Sequence, residues 1–157
     1  MLEIRAILAP TDFSAHAVAA LRYAAGLAER LGATLHLLHV LPDVVPTAPD
    51  LVAGVPDLMV APALPPDYYA ETEAESRAAL GRALDPSWGD VPSLETAVRR
   101  GDPVGALAEY ATERAIDLIV ISTHARSGLG HMLLGSVAER IIREAPCPVL
   151  TIRDRTT

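Results

Sequence analysis

The amino-acid sequence predicts an α/β fold: a three-layer, doubly wound arrangement in which helices cover both faces of five parallel strands. Two observations carry this prediction. The strand candidates are continuous apolar runs, such as Asp-Leu-Ile-Val-Ile-Ser at residues 117–122, which indicates strands buried on both faces. They also alternate with helical patterns, which is typical of a parallel sheet joined by helical crossovers. With 157 residues, 50% of them hydrophobic, the chain is expected to form one domain over residues 1–157.

The first strand and the first helix have clear boundary residues. Residues 3–10 form a β-rich apolar run, which predicts the first strand. Ser14 then carries the side chain of a helix N-cap, and Gly32 is expected to end the helix that spans residues 15–31. The apolar residues of this helix recur at helical spacing: Val18, Leu21, Ala25, Ala28 and Leu31.

A proline-rich segment separates the second strand from the second helix. Residues 33–40 (Ala-Thr-Leu-His-Leu-Leu-His-Val) predict a buried strand. Residues 41–66 then hold seven of the thirteen prolines, three aspartates and no basic residue. We interpret this segment as an insertion, because it is longer than an ordinary connection. A helix is predicted over residues 67–84, with Asp67 as its cap and acidic residues crowded into its first turns.

The second half of the chain begins with a short strand over residues 94–98. Asp102 and Pro103 follow as the cap and the first residue of a third helix, which is expected to run to about Arg114. The buried strand at residues 117–122 comes next, and a glycine-containing loop follows it.

The C-terminal region predicts a fourth helix and a fifth strand. Ser136 and Glu139 have the spacing of a capping box at the start of a helix over residues 136–145. One face of that helix carries Ala138, Ile141, Ile142 and Ala145. Residues 148–153 form an apolar strand with no later element to cover its edge, so we expect two copies to pair there, antiparallel, as a homodimer.

Composition excludes several classes of function. The net charge is −7 and the chain contains no lysine, which argues against a duplex nucleic acid partner and against a lysine Schiff base. No apolar run reaches the ~20 residues that span a bilayer, and the N-terminus lacks a signal-peptide layout, so a cytoplasmic protein is expected. The single cysteine, Cys147, lies between two prolines and is expected to be an inert thiol.

The expected strand order 3-2-1-4-5 locates a candidate site. In an open parallel sheet, ligands bind beyond the carboxyl ends of the strands, at the point where the strand order reverses. Here that point lies between the first and fourth strands, so the loop with Pro10, Thr11 and Asp12 is expected to face the loop that begins at Ser122. Asp12 has a second interpretation, as a turn residue or a cap of the first helix.

The fourth helix is expected to point its N-terminus at this crevice. A helix N-terminus presents free amides and a positive dipole end, which attract phosphate. The amides concerned are those of Ser136, Val137 and Ala138; Gly135 permits close approach, and Arg126 can add charge. Gly130 and Gly135 have the spacing of a P-loop, but Ser136 stands where its lysine should be, so any phosphate must be held without a Walker lysine.

Two stretches resemble the universal stress protein family. The first is Pro10-Thr-Asp-Phe-Ser14, which closes the first strand. The second is residues 122–153, which end in Leu-Leu-Gly-Ser-Val-Ala-Glu-Arg-Ile-Ile-Arg-Glu-Ala-Pro-Cys-Pro-Val-Leu-Thr-Ile-Arg. The resemblance covers nearly the whole chain. It implies an adenine-nucleotide α-hydrolase-like, Rossmann-like fold, a cytoplasmic location, a homodimer and, in one branch of the family, a bound ATP.

This sequence departs from the glycine loop of the ATP-binding branch. That loop reads Gly-x-x-Gly, nine residues, then Gly-Ser or Gly-Thr. Gly135-Ser136 is present at the correct distance, but Ser122 and Ala125 stand where the first two glycines should be. Ala125 matters more, since a non-glycine residue forced to positive φ costs about 1 kcal/mol.

The resemblance implies a role for each candidate site residue. Asp12 and Val40 would meet the adenine, with Pro10 and Thr11 lining its pocket. Mg²⁺ or Mn²⁺ would be bound mainly by the phosphates and water, because the loop offers no carboxylate cluster. Ser136, Val137 and Ala138, preceded by Gly135, would take the phosphates. The ribose and phosphates would also be held by Ser122, Thr123, His124, Ala125, Arg126, Ser127 and Gly128.

The histidines have interpretations of their own. His124 and His131 flank the loop glycines, but no third metal ligand lies nearby in the sequence. His36 and His39 are three residues apart on a strand, so they should face opposite sides of the sheet and share no metal.

Three hypotheses for function follow from these observations. The first is a nucleotide-responsive stress protein. The second is a dimeric adaptor without nucleotide binding, favoured by Ser122 and Ala125. The third is a slow ATP hydrolase acting through water near His124 or Asp12. Neither a G-x-S-x-G elbow nor a Walker B acid accompanies the loop, so hydrolysis would be incidental and no catalytic residue is assigned.

Overall fold

The strands form one all-parallel sheet in the order β3-β2-β1-β4-β5, as the sequence predicts. The computed structural model describes residues 3–42, 67–123 and 136–153. A short 3-10 helix, Pro86–Trp88, precedes β3. The other elements, in chain order, are β1 (Ala6–Pro10), α1 (Ala15–Leu31), β2 (Thr34–Leu41), α2 (Tyr68–Leu80), β3 (Ser93–Arg100), α3 (Pro103–Glu113), β4 (Leu118–Ser122), α4 (Ser136–Glu144) and β5 (Val149–Ile152).

Alternate residues of the strands enter two separate cores, because successive side chains of a strand point to opposite faces. Ile7 of β1 belongs to the core beneath α1, whereas Leu8, its neighbour, belongs to the core beneath α3 and α4. Both side chains are fully buried. The sheet is therefore covered on both faces, which explains why its strands are continuous apolar runs.

Helix α1 has the boundaries that its cap residues predict. The Ala17 amide donates to the Ser14 hydroxyl at 3.4 Å, and Gly32 ends the helix with φ 65°. The buried face, however, consists of Ala17, Ala20, Leu21, Ala24, Ala25 and Ala28. Small residues let the helix lie close to the sheet. The larger Val18 and Leu31 fall outside this narrow face and are 43% and 49% exposed.

Several predicted boundaries are wrong by a few residues. Strand β1 begins at Ala6, β2 is shifted by one residue to Thr34–Leu41, β3 is longer than expected at both ends, and α2 ends at Leu80. Asp67 precedes α2 but makes no side-chain cap bond, because its backbone is already helical at φ −89° and ψ −6°. The proline-rich segment lies outside the described residues from 43 to 66.

The predicted capping box of α4 is wrong in the described residues. Ser136 is the first helical residue, and no hydrogen bond joins it to Glu139 among the bonds of the described chain. The Glu139 carboxylate instead pairs with Arg143, one turn further along the helix. Ile142, expected on the inner face, is 47% exposed, whereas Ala138 and Ile141 are buried.

Strand β5 forms one edge of the sheet, as expected, with Leu150 38% exposed. Pairing of two chains through this edge stays a prediction. None of the helices in residues 3–42, 67–123 and 136–153 has both the length and the apolar character needed to cross a bilayer.

Candidate functional site

A cavity opens at the point where the strand order reverses. Its volume is about 310 Å³, which lies at the lower end of the range of ~300–1,000 Å³ for small-molecule sites. The carboxyl ends of β1, β2 and β4 form its floor, and the first turns of α1, α3 and α4 form its walls. The sheet order thus locates the cavity where the sequence predicts it.

The structure brings together all but one of the predicted site residues that it describes. Those that line the cavity are Pro10, Thr11, Asp12, Val40, Ser122, Ser136, Val137 and Ala138. The exception is Thr123, which is buried against β5. Its amide and its hydroxyl both donate to the Ile152 carbonyl, at 3.0 Å and 3.4 Å. Thr123 therefore joins two strands and does not line the cavity.

The remaining predicted residues lie outside the described part of the chain. They belong to the loop between β4 and α4, and their roles stay predictions: His124, Ala125, Arg126, Ser127, Gly128 and Gly135.

The turn after β1 is closed by hydrogen bonds from its own side chains. The Phe13 amide donates to the Thr11 hydroxyl at 3.0 Å, and the Ser14 amide donates to the Asp12 carboxylate at 2.9 Å. Asp12 is therefore a turn residue, as its alternative interpretation proposed, and it also lines the cavity. Phe13 adopts φ 60°, a conformation that bulky residues rarely take.

Two polar groups from β2 hold this turn on the sheet. The Leu38 carbonyl accepts a hydrogen bond from the Thr11 amide at 2.9 Å. The Nδ1 atom of His39 lies 2.7 Å from the Thr11 carbonyl oxygen. His39 lines the cavity but was not among the predicted site residues. Its position immediately before Val40 at the end of a predicted strand was the available signal.

His36 lies on the opposite face of β2, which confirms that the two histidines cannot share a metal. Its Nδ1 atom is 3.0 Å from the Tyr110 hydroxyl. Burial lowers the pKa of His36 below its ordinary value of 6.5, and Glu95 opposes this shift while Arg114 adds to it. His36 is therefore a core residue of the α3 side and not part of the cavity.

Helix α3 contributes a wall that sequence reasoning missed. Pro103 and Leu107 line the cavity beside Val137 and Ala138 of α4. The Asp102-Pro103 cap was predicted as a feature of the helix alone, because nothing local to it shows that α3 and α4 pack together.

An ion pair ties these two walls to each other. Two nitrogens of Arg140 approach the Asp102 carboxylate at 3.2 Å and 3.4 Å, while the Gly105 amide donates to the same carboxylate at 2.9 Å. The Gly105 amide, followed by the Arg140 guanidinium, holds the pKa of Asp102 below its usual value. Asp102 therefore stays ionised at neutral pH and keeps the start of α3 beside α4.

The chemistry of the cavity differs between its two ends. One end combines the apolar side chains Leu38 and Val40 with the Thr11–Asp12 turn, which suits a flat aromatic ring with polar edges. The other end is the start of α4, where backbone amides and the helix dipole favour an anion. In residues 3–42, 67–123 and 136–153, no three histidine, cysteine or acidic side chains are grouped as they would be to hold a metal ion.

These features define a class: doubly wound α/β proteins with a ligand crevice at the switch point of an all-parallel sheet. Comparison with known proteins then identifies the family. The profile of the universal stress protein family matches residues 3–153, and the chain belongs to that family.

Curated relatives extend over nearly the same length. The chain is 30% identical over 147 residues to universal stress protein MJ0531 of Methanocaldococcus jannaschii, covering 94% of this chain and 81% of that protein. It is also 30% identical over 149 residues to universal stress protein YxiE of Bacillus subtilis, covering 94% of this chain and 97% of that protein.

Solved structures share the fold. Universal stress protein UspA from Lactobacillus plantarum superposes with a TM-score of 0.72 at 26% identity, covering 98% of this chain and all of that one. A universal stress protein solved in complex with cAMP gives a TM-score of 0.66 at 24% identity, covering 97% of this chain and 98% of that one. The universal stress protein from Archaeoglobus fulgidus in complex with dAMP gives a TM-score of 0.61 at 21% identity, covering 97% of this chain and 99% of that one.

Proposed function

We propose that this protein is a cytoplasmic, nucleotide-responsive universal stress protein that binds ATP or another adenine nucleotide in the switch-point cavity. The observation that carries the proposal is the juxtaposition of the Thr11–Asp12 turn with the first turn of α4 across one cavity. A nucleotide has an aromatic base with polar edges at one end and an anionic phosphate at the other. These match the turn and the helix N-terminus that line the cavity. The complexes of two family members with cAMP and with dAMP support an adenine nucleotide.

In the proposed complex the adenine lies against Val40 with its amino edge toward Asp12. The phosphates meet the amides of Ser136, Val137 and Ala138, with Mg²⁺ or Mn²⁺ on the phosphates when ATP is bound. Binding would change the conformation of the protein, and a partner protein would recognise the altered surface. We assign no residue a catalytic role, so any ATP hydrolysis would be an incidental activity of the same site.

Calorimetry on dialysed protein tests this proposal. ATP, ADP and AMP are titrated at millimolar concentration into the wild type and into two aspartate variants. Asp12→Asn keeps an oxygen for the Ser14 amide but removes the charge, so about a tenfold loss of affinity is expected from a weakened charge-assisted bond. Asp85→Asn is the matched control, because Asp85 accepts from the Ser87 amide at 2.8 Å in a similar turn but does not line the cavity.

The three outcomes separate the hypotheses. Binding that Asp12→Asn weakens and Asp85→Asn leaves unchanged supports the proposed site. Binding that neither variant changes contradicts the assigned position of the adenine. If no nucleotide binds at millimolar concentration, nucleotide recognition is not the function of this protein.

The second candidate function is a dimeric adaptor that acts through protein contacts alone. The exposed edge of β5, with Leu150 38% exposed, favours this alternative. Ala125→Gly distinguishes the two candidates: a large gain in ATP affinity means that the natural loop is impaired, and no gain means that alanine is tolerated.

A further inference from the structure

The His39 side chain makes a contact that identifies Nδ1 as the donating nitrogen. Its Nδ1 atom lies 2.7 Å from the Thr11 carbonyl oxygen. A carbonyl oxygen can only accept, so Nδ1 must carry the proton and donate. His39 is therefore a permanent donor to the Thr11 backbone.

This donor acts where β1 leaves the sheet. The Thr11 amide still donates to the Leu38 carbonyl of β2 at 2.9 Å, like the ladder bonds before it. The Thr11 carbonyl is held by the neighbouring side chain of β2, that of His39. Both backbone groups of Thr11 are thus attached to the same strand, which fixes the start of the turn relative to Val40 on that strand.

The end of the turn also contacts His39. Phe13 has φ 60°, which L-residues rarely adopt, and its ring centroid lies 4.5 Å from that of His39 at an interplanar angle of 37°. The imidazole therefore holds Thr11 by a hydrogen bond and Phe13 by ring contact. Asp12 lies between these two contacts.

We propose that His39 is a positioning residue, which keeps the turn of residues 11–14 in the conformation that binds the base of the ligand. His39 acts through Thr11 and Phe13 and need not touch the ligand itself. The effect on affinity rests on the proposed nucleotide function, but the effect on the turn does not.

Four variants separate the hydrogen bond from the ring. His39→Phe keeps a ring and removes the donor. His39→Asn places an amide nitrogen near the position of Nδ1, whereas His39→Gln places it one methylene further out, where it cannot replace Nδ1. His36→Phe is the matched control, because the same substitution on the same strand breaks the bond to Tyr110, and His36 does not line the cavity.

Amide hydrogen exchange by NMR on the ligand-free protein tests the turn. Loss of one hydrogen bond should speed the exchange of the Phe13 and Ser14 amides by about fivefold or more in His39→Phe and His39→Gln. His39→Asn keeps a donor but loses the ring contact, so its increase should be smaller than in either of those variants, and His36→Phe should leave these two amides within about twofold of the wild type after correction for overall stability. Unchanged exchange in both His39→Phe and His39→Gln overturns the proposal.

Calorimetry with AMP then tests the consequence for the site. We expect affinity to fall about fivefold in His39→Phe and His39→Gln, to fall less in His39→Asn, which keeps a donor, and to stay within about twofold in His36→Phe. Equal losses in His39→Asn and His39→Gln would contradict the role of the Nδ1 donor. If the wild type binds no nucleotide but the exchange pattern holds, the proposed function fails while the positioning role of His39 stands.

Discussion

Ser136→Asp should change stability and nucleotide affinity in opposite directions. Ser136 is exposed, is the first residue of α4 and lines the cavity. A carboxylate in the first turn of a helix complements its dipole and stabilises it by about 0.3–1 kcal/mol. The same carboxylate would lie beside the proposed position of the phosphates, where two like charges about 4 Å apart in water repel by about 1 kcal/mol.

The magnitude follows from the charge of the ligand. The phosphate of AMP is nearly a dianion at pH 8, so the repulsion amounts to about 2 kcal/mol, or about a 30-fold loss of affinity. Adenosine has no phosphate, and its affinity should stay within about twofold of the wild type by the same reasoning. Ser136→Asn is the matched control, because asparagine is nearly equal in size to aspartate but carries no charge.

Calorimetry with AMP and with adenosine at low and high salt measures both effects, and thermal unfolding measures the change in stability. Salt should reduce the difference between Ser136→Asp and Ser136→Asn, because it screens exposed charges. Equal losses for AMP and adenosine, or no loss for AMP, would refute the assignment of the phosphates to the start of α4.

Three further predictions concern the fold. Burial lowers the pKa of His36 below its ordinary value of 6.5, so as the pH drops the unfolded chain binds a proton on this residue before the folded chain does. The free energy of unfolding should therefore fall as pH drops through 6.5 toward the pKa of the folded state. His36→Phe should reduce this difference in urea titrations at pH 7.5 and 5.5, and an unchanged difference would contradict the role of burial. Gly32→Ala should lower the free energy of unfolding by about 1 kcal/mol, because Gly32 has φ 65°. Gly26→Ala should raise it by about 1 kcal/mol, because Gly26 lies inside α1 with open space around the added carbon. Changes of the same sign in both variants would show that backbone conformation does not decide the effect. If two copies pair through the edge of β5, light scattering should find a dimeric wild type and a monomeric Leu150→Asp variant. A monomeric wild type would contradict the pairing, and a dimeric variant would place the interface elsewhere.

Local chemistry explains which elements could be predicted closely. Helix α1 starts after Ser14 and ends before Gly32 because a hydroxyl acceptor and a left-handed glycine act within a turn of the residues they cap. Asp102 was correctly predicted as the N-cap of α3 for the same reason. Asp67 has the same type of side chain as Asp102, but its backbone is already helical, and the sequence does not reveal that difference.

The site could be predicted where topology alone decides it. The strand order brings Pro10, Asp12 and Ser122 to one edge of the sheet, and no detail of side-chain packing is needed for that conclusion. Val40, which also lines the cavity, was assigned through the family resemblance. Leu107 was missed because its place in the cavity depends on how α3 packs against α4. His39 was missed because its hydrogen bond to a backbone carbonyl of another strand cannot be read from the sequence; only its position immediately before Val40 indicated that it lies near the cavity.

Buried faces were the least accurate part of the helix predictions. Val18 and Ile142 have apolar side chains at helical spacing, yet both are largely exposed. In α1 five alanines and Leu21 form the inner face, whereas Val18 and Leu31 fall outside it. Periodicity identifies a helix, but the distance between layers decides which stripe is buried.

An NMR titration of the ¹⁵N-labelled protein with ATP tests the central claim most directly. The account predicts saturable shifts of the Ser136, Val137 and Ala138 amides together with those of Asp12 and Val40, on both sides of one cavity. Adenosine should shift only the Asp12 and Val40 side. Shifts confined to other surfaces, or none at millimolar ATP, would contradict the claim that this cavity binds an adenine nucleotide.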